Sequence, residues 1–183
     1  MLRLIDAYKE PHRRYHTDQH LKECLAIFND YLDCAQEPGE VETALWFHDA
    51  IYNVKASDNE EKSAEWAVRE LRRADVYPER IARVKEHILA TRHSALPKGR
   101  DQELLVDIDL SILGTKPERF KEYERQVREE YSYVPGFIFR RNRKKILKEF
   151  LDRSSIYSTP ELRQRFEDRA RENLALSIAE IGE

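Results

Sequence analysis

Cysteine is almost missing from this sequence: Cys24 and Cys34 are the only two among 183 residues. Two thiols cannot make a disulfide framework, so core packing must hold the fold, and a reducing compartment is the natural setting. Long apolar runs are missing too. No stretch approaches the roughly 18 apolar residues of a membrane span. The opening Met1-Leu2-Arg3-Leu4-Ile5-Asp6 has no apolar core of signal-peptide length. A soluble, cytoplasmic protein with no membrane partner is expected. Charge of one sign is absent as well. Charged residues make up 37% of the chain, yet 32 basic and 35 acidic side chains leave a net charge of only −3. That balance lacks the basic excess of a general nucleic-acid binder. There is no internal repeat, no low-complexity segment, and no alternation of apolar and polar residues long enough for a strand.

Glycine is scarce, with five residues, and together with seven prolines it falls between stretches of helical periodicity. The pattern predicts helices over roughly 17–35, 40–52, 59–74, 78–91, 102–113, 116–132, 137–152 and 160–181. Ser57 and Asp58 precede Glu60 and Glu61 at capping-box spacing, and Thr115 with Glu118 repeats it. Thr159-Pro160 places a cap before a proline at the first helical position. The expectation is one all-α domain of seven to nine helices, with its core over about 15–115 and C-terminal helices over 116–183. The chain is long enough to bury a real core.

Against this background, His48-Asp49 stands out within Thr43-Ala44-Leu45-Trp46-Phe47-His48-Asp49-Ala50-Ile51-Tyr52. A carboxylate and an imidazole buried side by side carry a desolvation penalty that a divalent cation commonly offsets. Upstream, His16 and His20 are four residues apart, on one helical face if a helix begins near Tyr15. Downstream, Asp107 and Asp109 interrupt an apolar run over 102–113. Two residues on a helix subtend about 200°, so the two acids point to opposite sides. Taken singly, each feature reads equally well as a capping histidine or as a buried acid paired with an arginine. The set is what points to a metal.

The order His, His-Asp, Asp on an all-helical chain resembles the HD-domain superfamily of metal-dependent phosphohydrolases. Tyr15-His16-Thr17-Asp18-Gln19-His20 is similar to the Tyr-His-Asn-x-x-His stretch of cyclic-nucleotide phosphodiesterases, with Thr17 in place of the asparagine. Asp109-Leu110-Ser111 resembles their Asp-Leu-Ser segment. The small bacterial branch of predicted HD phosphohydrolases is similar over more of the chain: Trp46-Phe47-His48-Asp49-Ala50, Asp58-Asn59-Glu60-Glu61, Ala90-Thr91-Arg92-His93, Arg128-Glu129-Glu130-Tyr131 and Ala170-Arg171-Glu172-Asn173-Leu174. The resemblance implies His20, His48, Asp49 and Asp109 as metal ligands, with Asp107 as the alternative to Asp109. It implies His16, Glu60 and Asp49 as catalytic groups and His93, Arg128 and Tyr131 as substrate contacts. Glu60 and Glu61 also read as first-turn acids that complement the helix dipole. His93 reads equally as a helix-end histidine. The run Arg140-Arg141-Asn142-Arg143-Lys144-Lys145 reads as the wet face of an amphipathic helix, although one inward arginine would suit a phosphate.

The activity implied is metal-assisted hydrolysis of a phosphate ester, its partner a small phosphorylated, nucleotide-like metabolite; a homodimer is compatible with this. Mixed nitrogen and oxygen ligation suits one Mn²⁺, Fe²⁺, Co²⁺, Ni²⁺ or Zn²⁺ better than Mg²⁺, with no thiolate in the set to select zinc. Two rivals stand beside it. One is a dinuclear iron oxygenase of the same superfamily, which needs His87 or His93 as further ligands. The other is a non-catalytic domain that binds a nucleotide or a partner.

Overall fold

Proline opens four of the helices, where its missing N–H has no intrahelical partner to lose and its fixed φ suits the first turn. Pro38, Pro78, Pro117 and Pro160 begin helices that run to Phe47, Ala90, Glu130 and Gly182. The computed structural model describes residues 2–93 and 96–182. Among these are nine α-helices and no strand, the expected all-α class. They are α1 (Leu2–Ala7), α2 (Asp18–Asp30), α3 (Pro38–Phe47), α4 (Asn59–Arg73), α5 (Pro78–Ala90), α6 (Arg100–Asp109), α7 (Pro117–Glu130), α8 (Gly136–Leu151) and α9 (Pro160–Gly182). Short 3-10 segments cover Leu32–Cys34 and Leu110–Gly114. Among the described residues no helix is long and apolar enough to cross a membrane.

The chain divides into two compact units, the first ending at Asp109 and the second beginning at Leu110. In the first, α3 is central and packs on α2, α4, α5 and α6. Val41, Ala44 and Leu45 turn its apolar stripe into the core. Helix α6 buries Leu104, Leu105, Val106 and Ile108, with Asp101 and Asp107 buried among them. Asp101 of α6 reaches the start of α3, where its carboxylate accepts from the Gln36 and Glu37 N–H groups at 2.7 and 3.0 Å. That supplies from a distant helix the cap that α3 lacks locally.

In the second unit, the 3-10 segment lies against α9. Asn173 donates to the carbonyls of Leu113 and Thr115 at 2.8 and 2.9 Å, and the Tyr157 hydroxyl donates to the Leu110 carbonyl at 3.0 Å. Gly114 allows the close approach: a Cβ there would stand 2.6 Å from both Cβ and the carbonyl oxygen of Phe166. Gly114→Ala is therefore expected to destabilise the protein by about 1–3 kcal/mol, the range for overpacking a close-packed core. A fall in the urea midpoint with an unchanged m-value is the result to look for.

Several expected boundaries move, each for a local reason. The helix expected over 17–35 ends at Asp30, after which Tyr31 leaves helical geometry (φ −121°) and a 3-10 turn follows. The one expected over 40–52 ends at Phe47, and the one over 102–113 changes to 3-10 after Asp109. Helix α1 has no counterpart in the sequence reading, being only six residues long, too short for periodicity to reveal it. Neither capping box forms. Asp58 is the N-cap of α4 but makes no cap bond, its carboxylate instead accepting from Lys62 at 2.9 Å. Pro117 shifts the start of α7 so that Lys116 is the N-cap, and Thr115 turns back to donate to the Ile112 carbonyl.

Candidate metal centre

Ending α3 at Phe47 has a chemical consequence. Adjacent residues inside an α-helix point about 100° apart and do not face one another. His48 caps the helix with helical dihedrals and its N–H on the Ala44 carbonyl, Asp49 is the first residue beyond it, and His48 Nε2 and Asp49 Oδ2 come within 3.1 Å. The first turn of α2 brings His20, whose Nε2 lies 3.2 Å from His48 Nε2 and 3.6 Å from Asp49 Oδ2. The last residue of α6 brings Asp109, with Oδ1 at 3.1 Å from His20 Nε2 and 3.6 Å from His48 Nε2. Asp107 is wholly buried two residues earlier and has partners of its own. His20 and His48 are buried, while Asp49 and Asp109 are half-buried.

These separations fit a cation. Donors about 2.1 Å from one ion and at right angles to each other are roughly 3 Å apart. The tautomers fit as well. His48 Nδ1 is 2.8 Å from the Leu45 carbonyl, which only accepts, so Nδ1 carries the hydrogen and Nε2 keeps its lone pair. The Tyr15 hydroxyl is bonded to His20 Nδ1 at 3.0 Å, on the side of the ring away from the centre. Without a cation, protons take its place. Burial disfavours charge on His48, but the field of Asp49 and hydrogen bonds to both acids outweigh it and raise the imidazole's pKa well above the usual value. Burial likewise opposes ionisation of Asp49 and Asp109, and the imidazoles overcome it, so both carboxyls stay well below the usual range. A cation binding here would displace those protons.

The ligand set expected from the sequence holds no thiolate, and the structure brings a thiol beside it. Cys24, four residues after His20 on α2, lies with its Sγ 3.7 Å from both ring nitrogens of His20. Ligand atoms of His20, Cys24, His48 and Asp109 all fall within 4.8 Å of one another, a group able to hold a metal ion. Burial, reinforced by Asp109 and Asp49, pushes the Cys24 thiol up, which keeps it protonated in the metal-free site. The i, i+4 spacing was the available signal, but a lone cysteine on an apolar helix face is ordinarily core.

Arg13 was also missed. Its buried guanidinium donates to the carbonyls of Asp49 (2.7 Å), Ala50 (3.1 Å) and His16 (3.0 Å), tying the loop before α2 to the loop after α3. His16 itself is not on a helix with His20, because Thr17 is the N-cap of α2, its hydroxyl accepting from Gln19 N–H. The His16 ring instead stacks on Tyr52, centroids 4.0 Å apart, and stands 6.3 Å from the His20 ring. Its charge contributes to the low pKa of Asp49.

The remaining candidates are placed as follows. His93 lies three residues beyond α5 with φ +54°, a conformation uncommon for a side-chain-bearing residue. Its Nε2 reaches Asp109 Oδ2 at 3.1 Å, on the opposite carboxylate oxygen from His20. Glu60 and Glu61 pair with Arg92, Glu60 at 3.8 Å; Glu60 has no other ionic partner among the described residues. His87 is not brought to the ligands. It is buried with neither ring nitrogen hydrogen-bonded, and burial lowers its pKa against the partial opposition of Asp101 and Glu40. Arg128 and Tyr131 belong to the second unit, where Arg128 donates to the carbonyls of Tyr131 (2.6 Å) and Val134 (3.2 Å) and closes the end of α7. Arg143 is the inward arginine of the basic run, and Glu124 engages it.

No family model, curated protein or solved structure matches this chain. The site therefore stands on its own geometry.

Proposed function

We propose that the chain is a metal-dependent hydrolase of phosphate esters, acting on a small nucleotide-like metabolite in the manner of the HD superfamily it resembles. The observation that carries this reading is the convergence of two imidazoles, each with its Nε2 3.1–3.6 Å from an oxygen of both Asp49 and Asp109, from three separate helices or helix ends. Mixed nitrogen and oxygen donors suit Mn²⁺, Fe²⁺, Co²⁺, Ni²⁺ or Zn²⁺, and the nearby thiol adds weight to Zn²⁺ and Fe²⁺. A divalent cation supplies an acidified water and positive charge for a phosphate oxygen. The protein's part is to hold that charge in place and to move protons. Arg13 fixes the loops, and the Leu45 carbonyl and Tyr15 hydroxyl orient the two imidazoles. His16, stacked on Tyr52, would donate the proton to the departing oxygen.

The test is a phosphatase screen across nucleoside mono-, di- and triphosphates and cyclic nucleotides. A chelator should abolish turnover, and Mn²⁺, Co²⁺ or Ni²⁺ should restore it better than Mg²⁺. Turnover that survives full metal removal would overturn the reading. One observation favours a second one. Asp109 presents one oxygen to His20 and the other to His93, the arrangement of a carboxylate bridging two cations. Two ions per chain, with product formation dependent on oxygen, would select the dinuclear oxygenase instead.

A further inference from the structure

A cavity of about 950 Å³ lies between α1, α3 and α4, and no side chain of the metal centre lines it. Its volume is in the roughly 300–1,000 Å³ range of small-molecule sites. Trp46 and Phe47 of α3 and Trp66 of α4 form its aromatic side, with the Phe47 and Trp66 rings edge to face at 6.0 Å. Both tryptophans of the chain are here, and both are only half-buried. Arg69 and Arg73 follow Trp66 at three and seven residues, so one face of α4 presents the indole and both guanidinium groups. Arg3 of α1 adds a third and makes no ion pair with any described residue. Glu70 is the one acid in the lining, already bonded by Arg73 at 3.1 Å and Arg69 at 3.4 Å.

The positive charge continues outward. A second groove, about 650 Å³, shares Arg69 and Arg73 and adds Arg72 and Lys85 against a single acid, Glu65. Basic residues in the last turn of α4 complement the helix dipole, which accounts for Arg72 and Arg73. It does not account for Arg3, for Lys85, or for two half-buried indoles that line the same cavity beside them in a chain of net charge −3. Exposed aromatic faces bind planar rings, and guanidinium forks bind phosphate oxygens.

We propose that this cavity is a binding site for a nucleoside polyphosphate, with the base against Trp46 and Trp66 and the phosphates along Arg3, Arg69 and Arg73 toward the neighbouring groove. The site is independent of the hydrolytic reading, because it shares no side chain with the metal centre. The experiment uses the full chain, with intrinsic tryptophan fluorescence and titration calorimetry as readouts and ATP as the probe. Adenosine and inorganic tripolyphosphate serve as half-ligands, all in the presence of a chelator. ATP is expected to quench the fluorescence and release heat with one site per chain. Each half-ligand should bind at least tenfold more weakly. The exposed Arg69→Ala/Arg73→Ala double variant should weaken ATP roughly 10- to 100-fold, the equivalent of one or two charge-assisted hydrogen bonds. Asp49→Ala should bind ATP as the wild type does. The proposal is overturned if ATP gives neither signal, if tripolyphosphate binds as tightly as ATP, or if the arginine variant is unaffected. It is equally overturned if Asp49→Ala abolishes binding, since the ligand would then sit in the metal centre.

Discussion

Asp49→Ala is expected to yield a folded protein that no longer retains a metal ion and no longer turns over substrate. The backbone around Asp49 is anchored independently of its side chain, since the Arg13 guanidinium holds the Asp49 and Ala50 carbonyls at 2.7 and 3.1 Å. What the substitution removes is one of the two carboxylates that would balance the charge of a divalent ion held here. Altering only the partners of metal ligands costs roughly 10- to 100-fold in affinity, so loss of a ligand should exceed that. Asp49→Asn keeps the shape and removes the charge, and should behave in the same way. Elemental analysis after dialysis, beside a circular dichroism spectrum matching the wild type, is the measurement. Full occupancy in either variant would show that the ligand set is wrong.

Helix positions were legible because the chain marks them with proline. Pro38, Pro78, Pro117 and Pro160 each begin a helix within two residues of the expected start. Helix ends inside apolar runs were not legible. Nothing in Ala44-Leu45-Trp46-Phe47-His48-Asp49 signals a break locally, because apolar periodicity continues through Ala50 and Ile51. The break becomes intelligible only with the tertiary fold, which turns the consecutive side chains of His48 and Asp49 to one point and lets the Leu45 carbonyl accept from the His48 ring.

The same distinction runs through the site. The opposed directions of Asp107 and Asp109 follow from helix geometry alone, and the structure places one in the core and the other beside three histidines. Arg13 could not be read from sequence. Its carbonyl partners at Asp49 and Ala50 lie 36 and 37 residues along the chain, and no local pattern reports such a contact. His16 would share a face with His20 only in a helix beginning near Tyr15, and Thr17 caps the helix after it instead. A threonine that caps the helix three residues before His20 leaves His16 outside.

That displacement gives the second large effect its mechanism. Off the helix, His16 is not bound by the i, i+4 spacing and stacks flat on Tyr52, its ring 6.3 Å from that of His20. His16→Ala is expected to retain the metal and to lower kcat by roughly 10²- to 10⁴-fold, the usual contribution of a positioned proton donor. The loop should survive the change. Arg13 grips the His16 carbonyl at 3.0 Å, and His12 Nε2 contacts the Tyr52 carbonyl at 2.8 Å, neither through the His16 ring. The loss should shrink for nitrophenyl phosphate esters, whose leaving group departs without a proton, and persist for alkyl or ribosyl esters, which require one. Unchanged turnover on both kinds of ester would make His16 a packing residue on Tyr52. Loss of the metal would make it a ligand. A loss of kcat confined to the poor leaving groups, at full metal occupancy, is the signature of the acid.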